Sequence, residues 1–179
     1  MRDKVGPVRL VSETVETPIG ALLLVADADG ALSMAEFADC TDRVDRWLQR
    51  RVRSGRYELQ RGKVSSQIKQ AIAAYFGGDV GALRNIPIRL DGTAFQHEVW
   101  TALREIEPGR TFGYGAFAER LGRPQSARAV GHANGANPLS IVVPCHRLVG
   151  ADGDLTNYGG GIERKRWLLD HEARHSRRV

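Results

Sequence analysis

The chain has 179 residues, 42% of them hydrophobic and 26% charged, a balance that suits one large or two small globular domains and excludes a disordered or collagen-like chain. Its formal net charge of +5 favours an anionic partner only mildly, because 21 acidic residues are interspersed among 26 basic ones. With no apolar run long enough for a membrane span or a signal peptide, a soluble, cytoplasmic protein is expected.

Both ends, "MRDKVGPVR" and "HEARHSRRV", are charged and poor in core residues, and disorder is expected there. From Ser12 to Ala38 the sequence runs "SETVETPIGALLLVADADGALSMAEFA". Apolar and alternating runs broken by the turn chemistries "TPIG" and "DADG" predict a β-meander. "TDRVDRWLQRRV" then sets Val44, Trp47, Leu48 and Val52 at helical spacing. "SSQIKQAIAAYFGGD" does the same with Ile68, Ile72 and Tyr75/Phe76 before a Gly-Gly stop. "IPIRL" reads as a short strand, and the following "LDGT" marks a boundary near Asp91 to Thr93. The expected fold is α+β, with a small amino-terminal domain of antiparallel sheet and helices over residues 1–92. A mainly helical carboxy-terminal domain follows over residues 93–179.

The second half opens on a capping-box signal, Thr93 three residues ahead of Gln96. Phe95, Val99, Trp100, Leu103 and Ile106 follow on one face before "EPG" ends the helix. Two short helices, in "YGAFAERLG" and "SARAVGHANG", flank a tight "RPQ" turn and outline a helix-turn-helix plus a short sheet further on. Ala127, Ala129, Gly131, Ala133 and Gly135 leave the second helix with little bulk, and Arg128 projects from its first turn. Such a helix suits close packing against a neighbour. It equally suits the narrow minor groove of DNA, where an arginine can enter the base stack.

"NPLSIVVPCHRLVGADGDLTNYGGG" reads as a strand, a break at Pro144, a Cys-His-Arg triplet, a second short strand and a glycine-rich loop. Cys145 is a candidate nucleophile, with His146 as base and Arg147 as a source of positive field. On an extended chain neighbouring side chains point to opposite faces, so contact between Cys145 and His146 needs an irregular backbone or a bridging water. The last helix places Glu172 between Leu168 and Leu169, on the face those leucines would bury, where an imidazole would partner it. Lys165 competes as that partner, and a surface position at a frayed helix end is the alternative. The two cysteines form no C-x-x-C pair and the histidines show no zinc spacing, so neither a metal nor another cofactor is expected.

"ARAVGHANGANP", "VPCHRLVG" and "NYGGGIERKRWLLDHE", with "FQHEVW" and "FGYGAFAERLG" before them, resemble the O6-alkylguanine-DNA alkyltransferases, also called methylated-DNA–protein-cysteine methyltransferases. The resemblance spans Thr93 to Ala173 and extends more loosely to "TPIGALLLVAD" and "IKQAIAAYFGGD". It implies irreversible transfer of the alkyl group from O6 of guanine in double-stranded DNA, and from O4 of thymine, to Cys145, once per molecule. His146 would take the thiol proton through a water, Glu172 would orient the imidazole, and Asn137 would brace the turn beside the site. Tyr114 would donate to the base and help turn the nucleotide out, while Arg128 fills the gap in the stack. Ala127, Ala129 and Gly131 would approach the minor groove, and Tyr158, Gly159, Gly160 and Leu148 would shape the base pocket. Many relatives carry a small hydroxyl or other residue around this loop, whereas position 159 is glycine here. Some relatives hold zinc in the amino-terminal domain, for which Cys40 as the sole cysteine there is insufficient. The resemblance also implies a monomer in solution with no membrane partner and leaves cooperative assembly on DNA open. Alternatives are a damage-binding module without transfer, disfavoured by the cysteine, and a thiol hydrolase, which would not need DNA.

Overall fold

The structure, a computed structural model, describes residues 7–52, 55 and 57–176. The outermost residues of both charged ends lie outside the described residues, but Val8 and Arg9 sit in a strand and His171 to His175 in a helix, so order reaches further outward than composition suggests. Strands β1 (Val8–Val15), β2 (Leu22–Asp27) and β3 (Leu32–Phe37) form the expected antiparallel meander. Its second turn is closed by the Asp27 carboxylate, which accepts from the Asp29 and Ala31 amides at 3.0 and 2.9 Å. Gly30 supplies the positive φ of 81° there.

A fourth strand, β4 (Tyr57–Arg61), joins parallel to β1 and gives the order β3-β2-β1-β4. "YELQR" was not expected as a strand, because a charged edge strand lacks an apolar run. The sheet's two faces follow the period-2 rule. Leu10, Val25 and Met34 meet Val44 and Trp47 of α1 (Thr41–Val52) on one side. Leu22, Leu24, Ala26, Ala35 and Phe37 face the other.

On that second side lies α2 (Ser66–Phe76), started by Ser65, whose hydroxyl accepts from the Ile68 amide. "IPIRL" is not a strand: Ile88 makes only an isolated bridge to Leu32, Pro87 having no N–H to extend a ladder. The capping box is present at the head of α3 (Ala94–Arg104), with Thr93 and Gln96 exchanging hydrogen bonds at 2.9 and 3.2 Å. Such a cap contributes about 1 kcal/mol. Val99, Trp100, Leu103 and Ile106 are buried, and Phe95 is half-buried.

The two short helices are α4 (Tyr114–Arg120) and α5 (Ala127–Gly135). They are preceded by β5 (Phe112–Gly113), which pairs in parallel with β6 (Leu148–Val149). The chain ends its described part in α6 (Ile162–His175). One core cluster gathers Leu24 and Phe37 from the sheet with Trp100, Phe117, Leu148 and Leu168 from the later helices and strand. No helix among the described residues is long and apolar enough to cross a membrane.

Candidate active site and nucleic-acid surface

The segment before Cys145 is not a strand. Residues 140–143 form tight turns, with Ile141 at φ 71°, a conformation costly for a β-branched side chain. Asn137, fully buried, holds this shape: its amide donates to the Val143 carbonyl at 2.9 Å and its carbonyl accepts from the Leu139 amide at 2.9 Å. Apolar run length cannot separate a buried turn of this kind from a strand, because both hide their side chains. The chain then enters a single 3₁₀ turn, Cys145–Arg147, directly after Pro144.

Within that turn Cys145 and His146 are both buried. The second ring nitrogen of interest is fixed by chemistry. His146 Nε2 lies 2.9 Å from Glu172 Oε1, and an ionised carboxylate can only accept, so Nε2 carries the proton and Nδ1 the lone pair. Nδ1 is itself buried and has no hydrogen-bond partner among the described residues. Burial holds the imidazole's pKa below its ordinary value of 6.5, although Glu172 pulls it upward. The resting ring is therefore neutral and able to accept a proton at Nδ1.

Glu172 is fully buried rather than at the surface. It accepts from Tyr75 Oη at 2.9 Å, from Arg147 Nε and Nη2 at 2.9 and 2.8 Å, and from the Gly109 amide at 3.1 Å, besides His146. Burial pushes its carboxyl upward, but His146 and Arg147 outweigh that and hold it far below the usual carboxylate range. Lys165 is not its partner: the buried ammonium donates instead to the Leu148 and Thr156 carbonyls at 2.6 and 2.7 Å. Arg147, expected to lend field to the thiol, spends its guanidinium on Glu172 and the Ile106 carbonyl. Tyr75, read from the sequence only as a residue of the apolar face of its helix, and Gly109 were not expected at the site. Each lies more than sixty residues from Glu172, beyond the reach of any local pattern.

Burial also pushes the Cys145 thiol above its ordinary value, and Glu36 adds to this. The Asn137 amide, Arg43 and Lys165 act in the opposite direction. The resting sulfur is thus a thiol that needs a base, and the base within one residue is a neutral imidazole. Tyr158 packs its ring edge-on to His146 at 6.4 Å, with its buried hydroxyl unpartnered among the described residues. Gly160 is enclosed by Phe37 and the Tyr158 ring, and Leu148 is fully buried in the main core.

Arg43 of α1, also absent from the sequence reading, reaches across to this site. Its guanidinium donates to Glu36 at 2.6 Å and to the carbonyls of Gly135 and Asn137, each at 2.8 Å. A β-carbon at Gly159 would stand 2.6 Å from that guanidinium. Any side chain at position 159 would therefore displace an arginine held by three hydrogen bonds.

A cleft of about 790 Å³ opens between α1 and α5. Tyr114, Ala127, Arg128, Gly131, Asn134 and Asn137 contribute to its wall. Arg128 and Ala129 are exposed, and Gly131 has only the Tyr114 ring near the place of its missing β-carbon, at 3.9 Å. The small residues of α5 thus serve both ends: Ala129 and Gly135 are exposed and Ala127 and Gly131 half-buried, while Ala133 packs in the core. Tyr114 is half-buried on this wall, and its neighbour there, Asn134, donates to the Cys145 carbonyl at 3.3 Å. Among the described residues no group of three His, Cys, Asp or Glu side chains is placed to hold a metal ion.

The pKa shifts carry a stability prediction. Fold and unfolded chain differ in His146 below about pH 6.5 and in Glu172 below about pH 4.5. In both cases the unfolded chain binds more protons, so stability is full above those values and declines as pH falls through them. Urea midpoints measured from neutral pH downward are expected to fall in two stages, and His146→Gln makes the upper one smaller without abolishing it, since burial also lowers the pKa of His171.

Residues 94–174 match the family described as 6-O-methylguanine DNA methyltransferase, DNA binding domain. A methylated-DNA–protein-cysteine methyltransferase of Salmonella typhimurium is 44% identical over 164 residues, covering 92% of this chain and 96% of its own. Two solved structures are similar. The OGT of Mycobacterium tuberculosis in complex with DNA has a TM-score of 0.74 at 39% identity, covering 94% of each chain. The O6-methylguanine-DNA methyltransferase of the archaeon Pyrococcus kodakaraensis has a TM-score of 0.70 at 28% identity, covering 91% of this chain and 98% of that one.

Proposed function

The chain belongs to the methylated-DNA–protein-cysteine methyltransferase family, and from that membership we propose that Cys145 takes the alkyl group of O6-alkylguanine in duplex DNA, irreversibly and once per molecule. The single observation that carries the assignment is the pinned imidazole: His146, oriented by an ionised Glu172, keeps Nδ1 without a hydrogen-bond partner among the described residues, and it directly follows a buried cysteine in the same turn.

In the proposed reaction the thiol proton passes through a water to His146 Nδ1. The sulfur then attacks the alkyl carbon in line, the carbon–oxygen bond breaks as the carbon–sulfur bond forms, and guanine leaves with its O6 electrons. Tyr114 donates a proton or hydrogen bond to the departing base. The positive charge arriving on His146 is balanced by Glu172, whose own charge at rest is met by Arg147. A thioether has no easy reverse reaction, so the protein is consumed. The same chemistry extends to O4-alkylthymine.

A buried thiol cannot reach O6 in a stacked pair, so the nucleotide is turned out of the helix. The thin, exposed face of α5 suits the minor groove, and Arg128 in its first turn suits the gap in the stack. Tyr158, Gly159 and Gly160 wall the pocket, and with glycine at 159 the base is held by backbone groups there. Phosphate contacts supply most of the affinity, with little sequence preference.

Two measurements test this reading. A duplex carrying one O6-methylguanine, titrated with the protein, is expected to be repaired mole for mole. Continued repair beyond one equivalent contradicts single use. Arg128→Ala is expected to slow repair of the duplex by at least tenfold while changing the reaction with free alkylated base far less. Equal losses on both substrates would remove Arg128 from nucleotide flipping.

A further inference from the structure

The cleft between α1 and α5 is lined by five arginines, Arg43, Arg46, Arg50, Arg51 and Arg128. Two of them are matched by the only carboxylates among the described residues of the cleft wall: Arg43 pairs with Glu36 at 2.6 Å and Arg51 with Asp91 at 3.0 Å. Arg46, Arg50 and Arg128 are exposed, and among the described residues they enter no ion pair. Arg46 and Arg50 stand one helical turn apart on α1. Like charges at that spacing weaken a helix slightly; Arg50, in the last turn, is favoured there by the helix dipole, whereas Arg46 lies a turn earlier and has no such support. The acidic residues of the same helix, Asp42 and Asp45, lie off the cleft wall.

Arg43 fixes the distance between the two helices by donating to the carbonyls of Gly135 and Asn137 at the end of α5. The free cations of α1 are thereby held at a constant offset from the face that carries Arg128. A minor groove is narrow, about 6 Å across, and is bordered on each side by a phosphate strand. A helix lying in it therefore has phosphates immediately beside it. Guanidinium groups match phosphate oxygens in geometry as well as charge.

We propose that Arg46 and Arg50 form a second phosphate-binding surface, which grips the backbone of the same DNA molecule whose minor groove receives α5. The inference rests on the reading of α5 as the DNA-binding helix. It assigns the cleft to one flanking strand and makes the first half of the chain a direct contributor to DNA affinity.

The test is equilibrium binding of the full chain to an undamaged duplex of two helical turns over a series of salt concentrations. Each phosphate neutralised contributes about 0.9 to the slope of log affinity against log salt. Arg46→Ala with Arg50→Ala is expected to make the slope shallower by about 1.8, with an unchanged thermal midpoint, since alanine is the strongest helix former. Arg46→Lys with Arg50→Lys, which keeps both charges, retains the slope. Arg9→Ala with Arg61→Ala removes two exposed charges from strands away from the cleft and should alter it much less. A wild-type slope in the alanine pair, or an equal change in the strand pair, overturns the proposal. Failure of the wild-type chain to bind the duplex at all would instead overturn the reading of α5.

Discussion

Replacing Glu172 by alanine is expected to cost about 3–5 kcal/mol of stability, the range seen when one partner of a buried ion pair is removed. Small domains are stable by only about 5–15 kcal/mol, so the variant should be marginally folded at best. The reason is the number of donors that converge on one carboxylate. Without it the Arg147 cation is buried unpaired, and Tyr75, His146 and the Gly109 amide lose an acceptor together. Urea unfolding at neutral pH measures the loss, and a cost under 1 kcal/mol would mean that the carboxylate is solvated. Glu172→Gln separates fold from chemistry, because it preserves volume and one acceptor while removing charge. It is expected to fold and bind DNA but to transfer methyl groups more than tenfold more slowly, since imidazolium formation loses its counter-charge. An unchanged rate would confine Glu172 to a structural role.

The second large effect is at the sulfur. Cys145→Ala is expected to abolish transfer while leaving DNA affinity within about twofold, because the thiol is buried and makes no part of the exposed face of α5. Binding is read by titration with a methylated duplex and transfer by restoration of guanine in the same samples. Residual transfer by the alanine variant would place the acceptor elsewhere, with Cys40 the remaining thiol.

Local chemistry made much of the fold legible in the sequence. The capping box at Thr93 and Gln96, the apolar face of α3 and the alternating strands are short-range patterns that backbone geometry enforces directly. The low bulk of α5 left two readings, packing or an open face, and each holds for part of the helix, Ala133 packing in the core while Ala129 and Gly135 are exposed. The turn at residues 140–143 misled because burial, not strand pairing, explains its apolar run. The surroundings of the site were hidden for a different reason. Tyr75, Gly109 and Arg43 approach from 97, 63 and 92 residues away respectively, and helical periodicity gives the side a residue faces but not the partner that waits there. Lys165 and Arg147 show the same limit. Both carry the right charge for Glu172, yet register gives Arg147 the carboxylate and leaves Lys165 to backbone carbonyls.

The most direct measurement is mass spectrometry of the Cys145 peptide after the protein has reacted with an excess of O6-methylguanine duplex. One added methyl per chain, on Cys145 and with no further repair afterwards, is the predicted result. An unmodified Cys145 in folded protein whose duplex has nonetheless been repaired would contradict it.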